Sequence, residues 1–293
     1  MKKKNLLFQI VLIVIFAILC ALTIFPFLLL VSVSLSSAEA VAKFGYQLIP
    51  QEISWDAYIF VFENPQTILR AYGVTFIVSL LFMVFGVLLM AMVAYPLSRS
   101  KLKGKNAINF YIYFTMLFGG GLIPTYLLVA STLHLNNTIW VYVVPHMISP
   151  WYVFMMRTFF KGIPGEIIES ATVDGASEYT IFIKMILPLS KPVLATVALM
   201  MFLGKWNDWN TALIYISDAK LYSLQYLLQK ILRELDMITQ MQQAGMGSVD
   251  AAKIPGETMR MAMAVVAAGP ALVVFPFFQK YFVKGLTVGA VKG

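Results

Sequence analysis

The sequence predicts an all-α polytopic membrane protein with six transmembrane helices, and three observations predict it. The first is composition: of 293 residues, 60% are hydrophobic and 12% charged, with a mean hydropathy of +0.80. Soluble domains hold about 45–50% apolar and about 25% charged residues, so the excess must face something other than water. The second is that apolar stretches recur at the length needed to cross roughly 30 Å of hydrocarbon as a helix. The third is that basic residues gather in alternate connections between those stretches. A net charge of +8 spread between spans offers no patch able to track a phosphate backbone, so no nucleic-acid partner is expected. One cysteine, Cys20, excludes an internal disulfide framework, and with only two histidines no metal site is expected.

Three lysines open the chain, and Leu6 to Val33 follows without a charge. That run is about twice the apolar region of a signal peptide, so it reads as an uncleaved first helix. Further spans are expected at Tyr72 to Leu97, Ala107 to Ala130, Ile139 to Phe160, Pro192 to Ile216 and Met259 to Phe282. With a cytoplasmic N-terminus, the internal segments hold Lys2, Lys3, Lys4, Arg99, Lys101, Lys103, Lys105, Arg157, Lys161, Lys184, Lys191, Lys280, Lys284 and Lys292. These are fourteen of the 22 basic residues, whereas ten of the 14 acids fall outside, which places both termini in the cytoplasm. The whole chain, 1–293, is expected to form one transmembrane domain. It has external loops at about 34–70 and 217–258, a cytoplasmic loop at about 161–191 and a cytoplasmic tail at 284–293.

The cytoplasmic loop carries the clearest pattern. Pro164 suits the start of a helix, Gly165 to Val173 places Glu166 near its N-terminus, and Asp174-Gly175 stops it. Ser177 and Glu178 restart a second helix, in which Ile181, Phe182, Met185 and Ile186 repeat at helical spacing until Leu187-Pro188. Helices this short need a surface to pack on, either a protein partner or the lipid surface.

Glu169-Ser170-Ala171, then Gly175, then Met185-Ile186-Leu187-Pro188, resembles the E-A-A-x3-G-x9-I-x-L-P loop of ABC-importer permeases. Ser170 and Met185 are mild departures. Asp174-Gly175-Ala176-Ser177 and Phe182 are similar to the carbohydrate-uptake branch. The resemblance implies a type I ABC-importer permease fold whose loop is a coupling helix seated in an ATPase subunit. It assigns that contact to Glu169, Ala171, Asp174, Gly175, Ala176, Phe182, Leu187 and Pro188. The ending, Gln279 to Gly293, is similar to that of MalG-like permeases, which implies that Gly285, Leu286, Gly289, Ala290 and Lys292 reach the ATPase subunits. Lys43-Phe44-Gly45-Tyr46 through Pro50, with Trp206-Asn207-Asp208-Trp209, further resembles the subgroup for aldouronate and other polysaccharide-derived oligosaccharides.

No G-x-x-x-x-G-K-[ST] loop occurs, so ATP and Mg are expected on partner subunits, with no cofactor here and no enzyme activity. Lys205 to Asn210 concentrates two ions, two amides and two indoles in the fifth span, which is costly against lipid. Trp206, Asn207, Asp208 and Trp209 are therefore candidates for a sugar path, with Asn207 and Trp206 first. An aromatic belt at the membrane interface fits the same residues. Gly119-Gly120-Gly121 and Pro124 should loosen the third span, lining a path or permitting close packing. Tyr222, Tyr226, Arg233 and Asp236 in the second external loop are candidate contacts for a solute-binding protein. The expected function is one permease subunit of an oligosaccharide importer in a bacterial cytoplasmic membrane. Its expected partners are a second, non-identical permease, two ABC ATPase subunits, a solute-binding protein and membrane lipid. A permease for a non-sugar solute and a membrane enzyme acting on lipid-linked sugars remain the alternatives.

Overall fold

A computed structural model describes the backbone of residues 2–99, 102–244 and 256–290, and the side chains of 8–99, 102–241, 244, 256–274 and 276. Lys101, Lys292 and the stretch 245–255, within the loop expected to be external, lie outside the described residues. Helices dominate, and pairing of extended backbone among the described residues is confined to one isolated bridge, Ser36 to Ile53.

The chain falls into two compact units. The first comprises 1–68 and 228–270, the second 69–227 and 271–293. In the first unit, α1 (Lys2–Ser34) is a charge-free rod after its lysines, and its apolar side chains from Phe8 to Val31 are largely exposed. Its end is tied to the following loop: the Ser32 hydroxyl donates to the Gln47 carbonyl at 2.6 Å, and Ser34 Oγ lies 2.8 Å from the Tyr58 hydroxyl. That loop is folded, as its length and interleaved aromatics suggest. It holds α2 (Ala38–Phe44), capped by Ser37, and α3 (Asp56–Val61).

In the second unit, α4 (Pro65–Ser98) runs through as a span, and its residues Met90, Ala91, Ala94 and Leu97 form one buried stripe at helical spacing. At Gly86 it comes so close to a neighbour that an added Cβ would sit 2.2 Å from Met201 Cε and 2.9 Å from the Met147 carbonyl oxygen. The third expected span is broken. α5 (Lys105–Leu117) and α6 (Leu122–Tyr126), the latter prolonged as a π-helix over Leu127–Thr132, meet at 114° across residues 118–121. The three glycines allow it, Gly121 at φ +84°, a region closed to most side chains. The fourth is divided into α7 (Trp140–Val143) and α8 (Pro150–Lys161), because His146 takes φ +64° and Pro150 can only begin a new helix.

Next come α9 (Gly165–Val173), α10 (Glu178–Ile181) continued as a π-helix over Phe182–Ile186, and α11 (Leu187–Leu189). Pro188 does not end this path as its position suggests. It sits within the first residues of α11, and the turn comes at Ser190, where the path bends by 77° into α12 (Lys191–Trp206). The fifth span then breaks at 207–209 before α13 (Asn210–Tyr215). A 3-10 turn, Ala219–Leu221, leads to α14 (Leu224–Gln243), and α15 (Gly256–Ala290) closes the described chain. Among the described residues, three helices are long and apolar enough to cross a membrane, or up to five if each bent pair is one span. Residues 139–160, divided at 144–149, are the sixth stretch of the sequence reading and do not meet that length.

The core of the second unit joins α4, α8 and α12 to the helices of 165–189: Met90, Tyr95, Val153, Met156, Phe160, Ile168, Ile181, Phe182, Ile186, Val197 and Met201 are all buried. Between lipid-embedded helices such packing stabilises through close van der Waals contact rather than release of water, so shape complementarity decides it.

Candidate functional site

Two places in the second unit bring sequence-marked residues together. The first is the 165–189 helix–turn–helix. α9 ends in a glycine-terminated cap: the Ala176 N–H donates to the Ala171 carbonyl at 2.9 Å and the Gly175 N–H to the Thr172 carbonyl at 3.1 Å. Gly175 holds φ +79° to permit this, and a Cβ added there would meet nothing within 4 Å, so backbone conformation and not crowding reserves the position for glycine. Ser177 then caps the next helix by accepting the Thr180 N–H at 3.2 Å. The element has two faces. Ile168, Ala171, Ile181, Phe182 and Ile186 are buried in the chain's own core, with Ala176 and Leu187 partly buried beside them. Glu169, Asp174, Gly175 and Pro188 are exposed, together with Val173 at 87% and Tyr179 at 70% exposure. Of the residues that the sequence groups as one coupling set, Ala171, Phe182 and Leu187 thus anchor the element, while the exposed ones form its outer surface. Val173 and Tyr179 belong to that surface too; their exposed apolar bulk is a signal that the motif spacing alone did not single out.

The second place is a cavity of about 460 Å³ lined in part by Gly119, Gly120, Gly121, His146, Lys205 and Asp208. The loosened third span and the polar cluster of the fifth, 85 residues apart in sequence, meet here. Lys205, 8% exposed, places Nζ 2.6 Å from Asp208 Oδ2 and 4.7 Å from the centre of the Phe82 ring. Asp208 also accepts the Thr211 N–H at 3.0 Å and the Thr211 hydroxyl at 2.6 Å, which starts α13 after the break. One carboxylate therefore neutralises a buried cation and caps a helix. The irregular backbone at Gly119 to Gly121 and at Asp208 lines this cavity, a setting in which freed carbonyls and N–H groups are tolerated.

The four path candidates are not equivalent. Trp206 is 2% exposed, its ring 5.9 Å from Phe202 and 6.4 Å from Tyr72, so it holds α12 from within. Asn207 is exposed; its Nδ2 donates to the Leu203 carbonyl at 2.9 Å, and its Oδ1 accepts from Gln225 at 3.2 Å. Asp208 faces the cavity, and Trp209 is half-buried. Among the binding-protein candidates, the Tyr222 and Tyr226 rings meet edge to face at 4.7 Å, Arg233 is exposed, and Asp236 pairs with Arg260. Arg260 also donates to Glu257 at 3.3 Å, and Glu257 accepts the Tyr46 hydroxyl at 2.8 Å, which pushes that hydroxyl above its ordinary pKa. Gly285, Leu286, Gly289 and Ala290 continue the backbone of α15; of the tail candidates, Lys292 lies outside the described residues. No group of three or more metal-binding side chains occurs among the described residues.

The model for the inner membrane component of binding-protein-dependent transport systems matches residues 68–288. The chain belongs to that family. It is accordingly an integral membrane component of an ABC transport system, working with a binding protein and an ATPase, and is not itself an enzyme. Among relatives of this inner membrane component, Protein LplC of Bacillus subtilis is 38% identical over 273 residues, covering 93% of this chain and 90% of its own. The polygalacturonan/rhamnogalacturonan transport system permease protein YtcP of Bacillus subtilis is 36% identical, covering 99% of this chain and 100% of its own. A solved structure, that of a bacterial ABC transporter involved in the import of the acidic polysaccharide alginate, contains a chain matching with a TM-score of 0.78 at 27% identity. The match covers 95% of this chain and 98% of that one.

Proposed function

We propose that the chain is one permease subunit of a bacterial importer for oligosaccharides derived from plant or other polysaccharides, with 161–191 as its docking element for an ATPase subunit. The observation that carries this reading is the two-faced 165–189 element: one side is locked into the core, and the other presents Glu169, Val173, Asp174 and Tyr179 as exposed side chains. Exposed apolar bulk on a capped element suits a contact surface, and this supports a docked partner. The relatives' substrates support a saccharide cargo, and the cavity at Lys205 and Asp208 offers donors and acceptors for hydroxyls. In this reading ATP and Mg bind the two ATPase subunits and a second, non-identical permease completes the channel. A solute-binding protein delivers cargo outside, 1–293 acts as one transmembrane domain, and the 284–293 tail adds to the ATPase contact. Coexpression with the partner subunits tests it: the ATPase subunits should copurify, and labelled oligosaccharides should enter proteoliposomes only with ATP and the binding protein. Copurification without uptake of any oligosaccharide would remove the cargo assignment.

Orientation follows from the basic residues, with both termini in the cytoplasm. In a Cys20→Ser background, single cysteines at Ser37 and Ser217 should react with an impermeant reagent from outside. Those at Lys103 and Asp174 should react only in inverted vesicles, and the reverse pattern would refute the topology. Photocrosslinkers at Tyr222, Tyr226 and Arg233 should capture the binding protein. At Asp236 capture should be weaker, because its carboxylate is engaged with Arg260. Transport without capture at any of the four would reject that contact.

A further inference from the structure

We propose that Tyr95 and Glu178 form a latch fixing the exposed helix–turn–helix to span α4, which makes Tyr95 a positioning residue for coupling; the inference rests on the docking reading above. Tyr95 lies in the last turn of α4 and is buried, and its hydroxyl donates to Glu178 Oε2 at 2.5 Å. Glu178 is the first residue of α10, held there by the Ser177 cap. The Tyr95 ring packs on Phe182 one turn further along, with centroids 5.2 Å apart and planes at 32°. The Arg99 guanidinium stands 5.9 Å from the other partner of this group, the Tyr95 ring, and the Arg157 Nε–H donates to the Leu97 carbonyl at 3.1 Å, fixing the same end of α4.

The chemistry assigns different tasks to these contacts. Ile168, Ala171, Phe182 and Ile186 hold the element by apolar packing, which resists separation but is non-directional and permits sliding. A short hydrogen bond to a carboxylate is directional and fixes register. It is the direct side-chain hydrogen bond between the docking element and α4 among the described contacts, and it sits one residue after the cap of the second helix. Displacement of α9 and α10 by a docked subunit is therefore passed to α4 at Tyr95 and not dissipated as slippage. A buried tyrosine hydroxyl needs a partner in any case; here that partner lies on the element that has to move.

Three variants separate the bond from the fold. Tyr95→Phe keeps the ring on Phe182, and Glu178→Gln keeps an acceptor, whereas Glu178→Ala keeps neither bond nor acceptor. The importer complex, expressed with its own partner subunits in a Cys20→Ser background, carries nitroxides at Lys184 and Leu80, the latter about 22 Å along α4 from Tyr95. Dipolar distances are read first without nucleotide, and uptake per ATP hydrolysed is read on the same variants. Tyr95→Phe and Glu178→Ala should broaden the distance distribution and lower uptake per ATP about fivefold at unchanged complex yield. Glu178→Gln should restore the narrow distribution, and the double variant should be no worse than either single one. Wild-type distributions and coupling in both Tyr95→Phe and Glu178→Ala would overturn the latch. Failure of the docking reading would look different, as absence of ATPase subunits from the purified wild-type complex, and the nucleotide-free distances test the latch even then.

Discussion

Replacing Asp208 by alanine is expected to destabilise the protein by about 3–5 kcal/mol, the loss typical when one member of a buried ion pair is removed. Lys205 is buried, its ammonium has the Asp208 carboxylate 2.6 Å away, and without it a cation is stranded beside the Phe82 ring. The same substitution removes the acceptor for the Thr211 N–H and hydroxyl, so the start of α13 loosens as well. Lys205→Met combined with Asp208→Asn should recover most of the loss, since no charge then remains to strand and one acceptor is left for Thr211. Thermal denaturation of the purified complex in detergent measures both, and equal stability of Asp208→Ala and wild type would show that the pair does not hold the break. Uptake adds a second reading: if the double variant is as stable as wild type yet transports poorly, the charges serve the cargo path as well as the fold.

Gly175→Leu is expected to abolish coupled uptake while membrane insertion persists. A non-glycine residue at φ +79° costs about 1–2 kcal/mol, a population factor of about 5–30 against the capped turn. Leucine also projects an isobutyl group from the outer surface that presents Glu169 and Asp174. Because a Cβ there meets nothing within 4 Å among the described residues, asparagine, which tolerates left-handed backbone, should keep most activity. Alanine should fall between. If leucine, alanine and asparagine all transported as wild type, neither the turn nor the docking role of Gly175 would stand.

How much of this was legible in sequence depends on the range of the determining contacts. The helix–turn–helix is visible because its caps are local: Ser177 lies three residues from the N–H it accepts, and the Gly175 turn closes onto Ala171 and Thr172. The long spans are visible because hydrocarbon imposes a length. Which side of a helix faces inward is not local, so nothing in Trp206-Asn207-Asp208-Trp209 distinguishes the core indole of Trp206 from the exposed amide of Asn207. Nor does the sequence show that Gly119 to Gly121 and Lys205 share one cavity, since that follows from how α5, α6 and α12 pack. The interruption at 144–149 is hidden because Pro150 and a left-handed His146 sit inside a run whose hydropathy alone looks continuous.

The absence of a side chain at Gly86 has a mechanical side. There α4 rests against Met201 of α12 and the Met147 carbonyl with no room for a methyl group. Eleven residues before it the Thr75 hydroxyl accepts the Leu224 N–H at 2.8 Å, and nine residues after it Tyr95 meets Glu178. At a helical rise of about 1.5 Å, these attachments lie about 16 Å and about 13 Å on either side. Gly86 is then the fulcrum of a near-balanced lever: a tilt of α4 about it carries Thr75 and Tyr95 in opposite directions by nearly equal amounts.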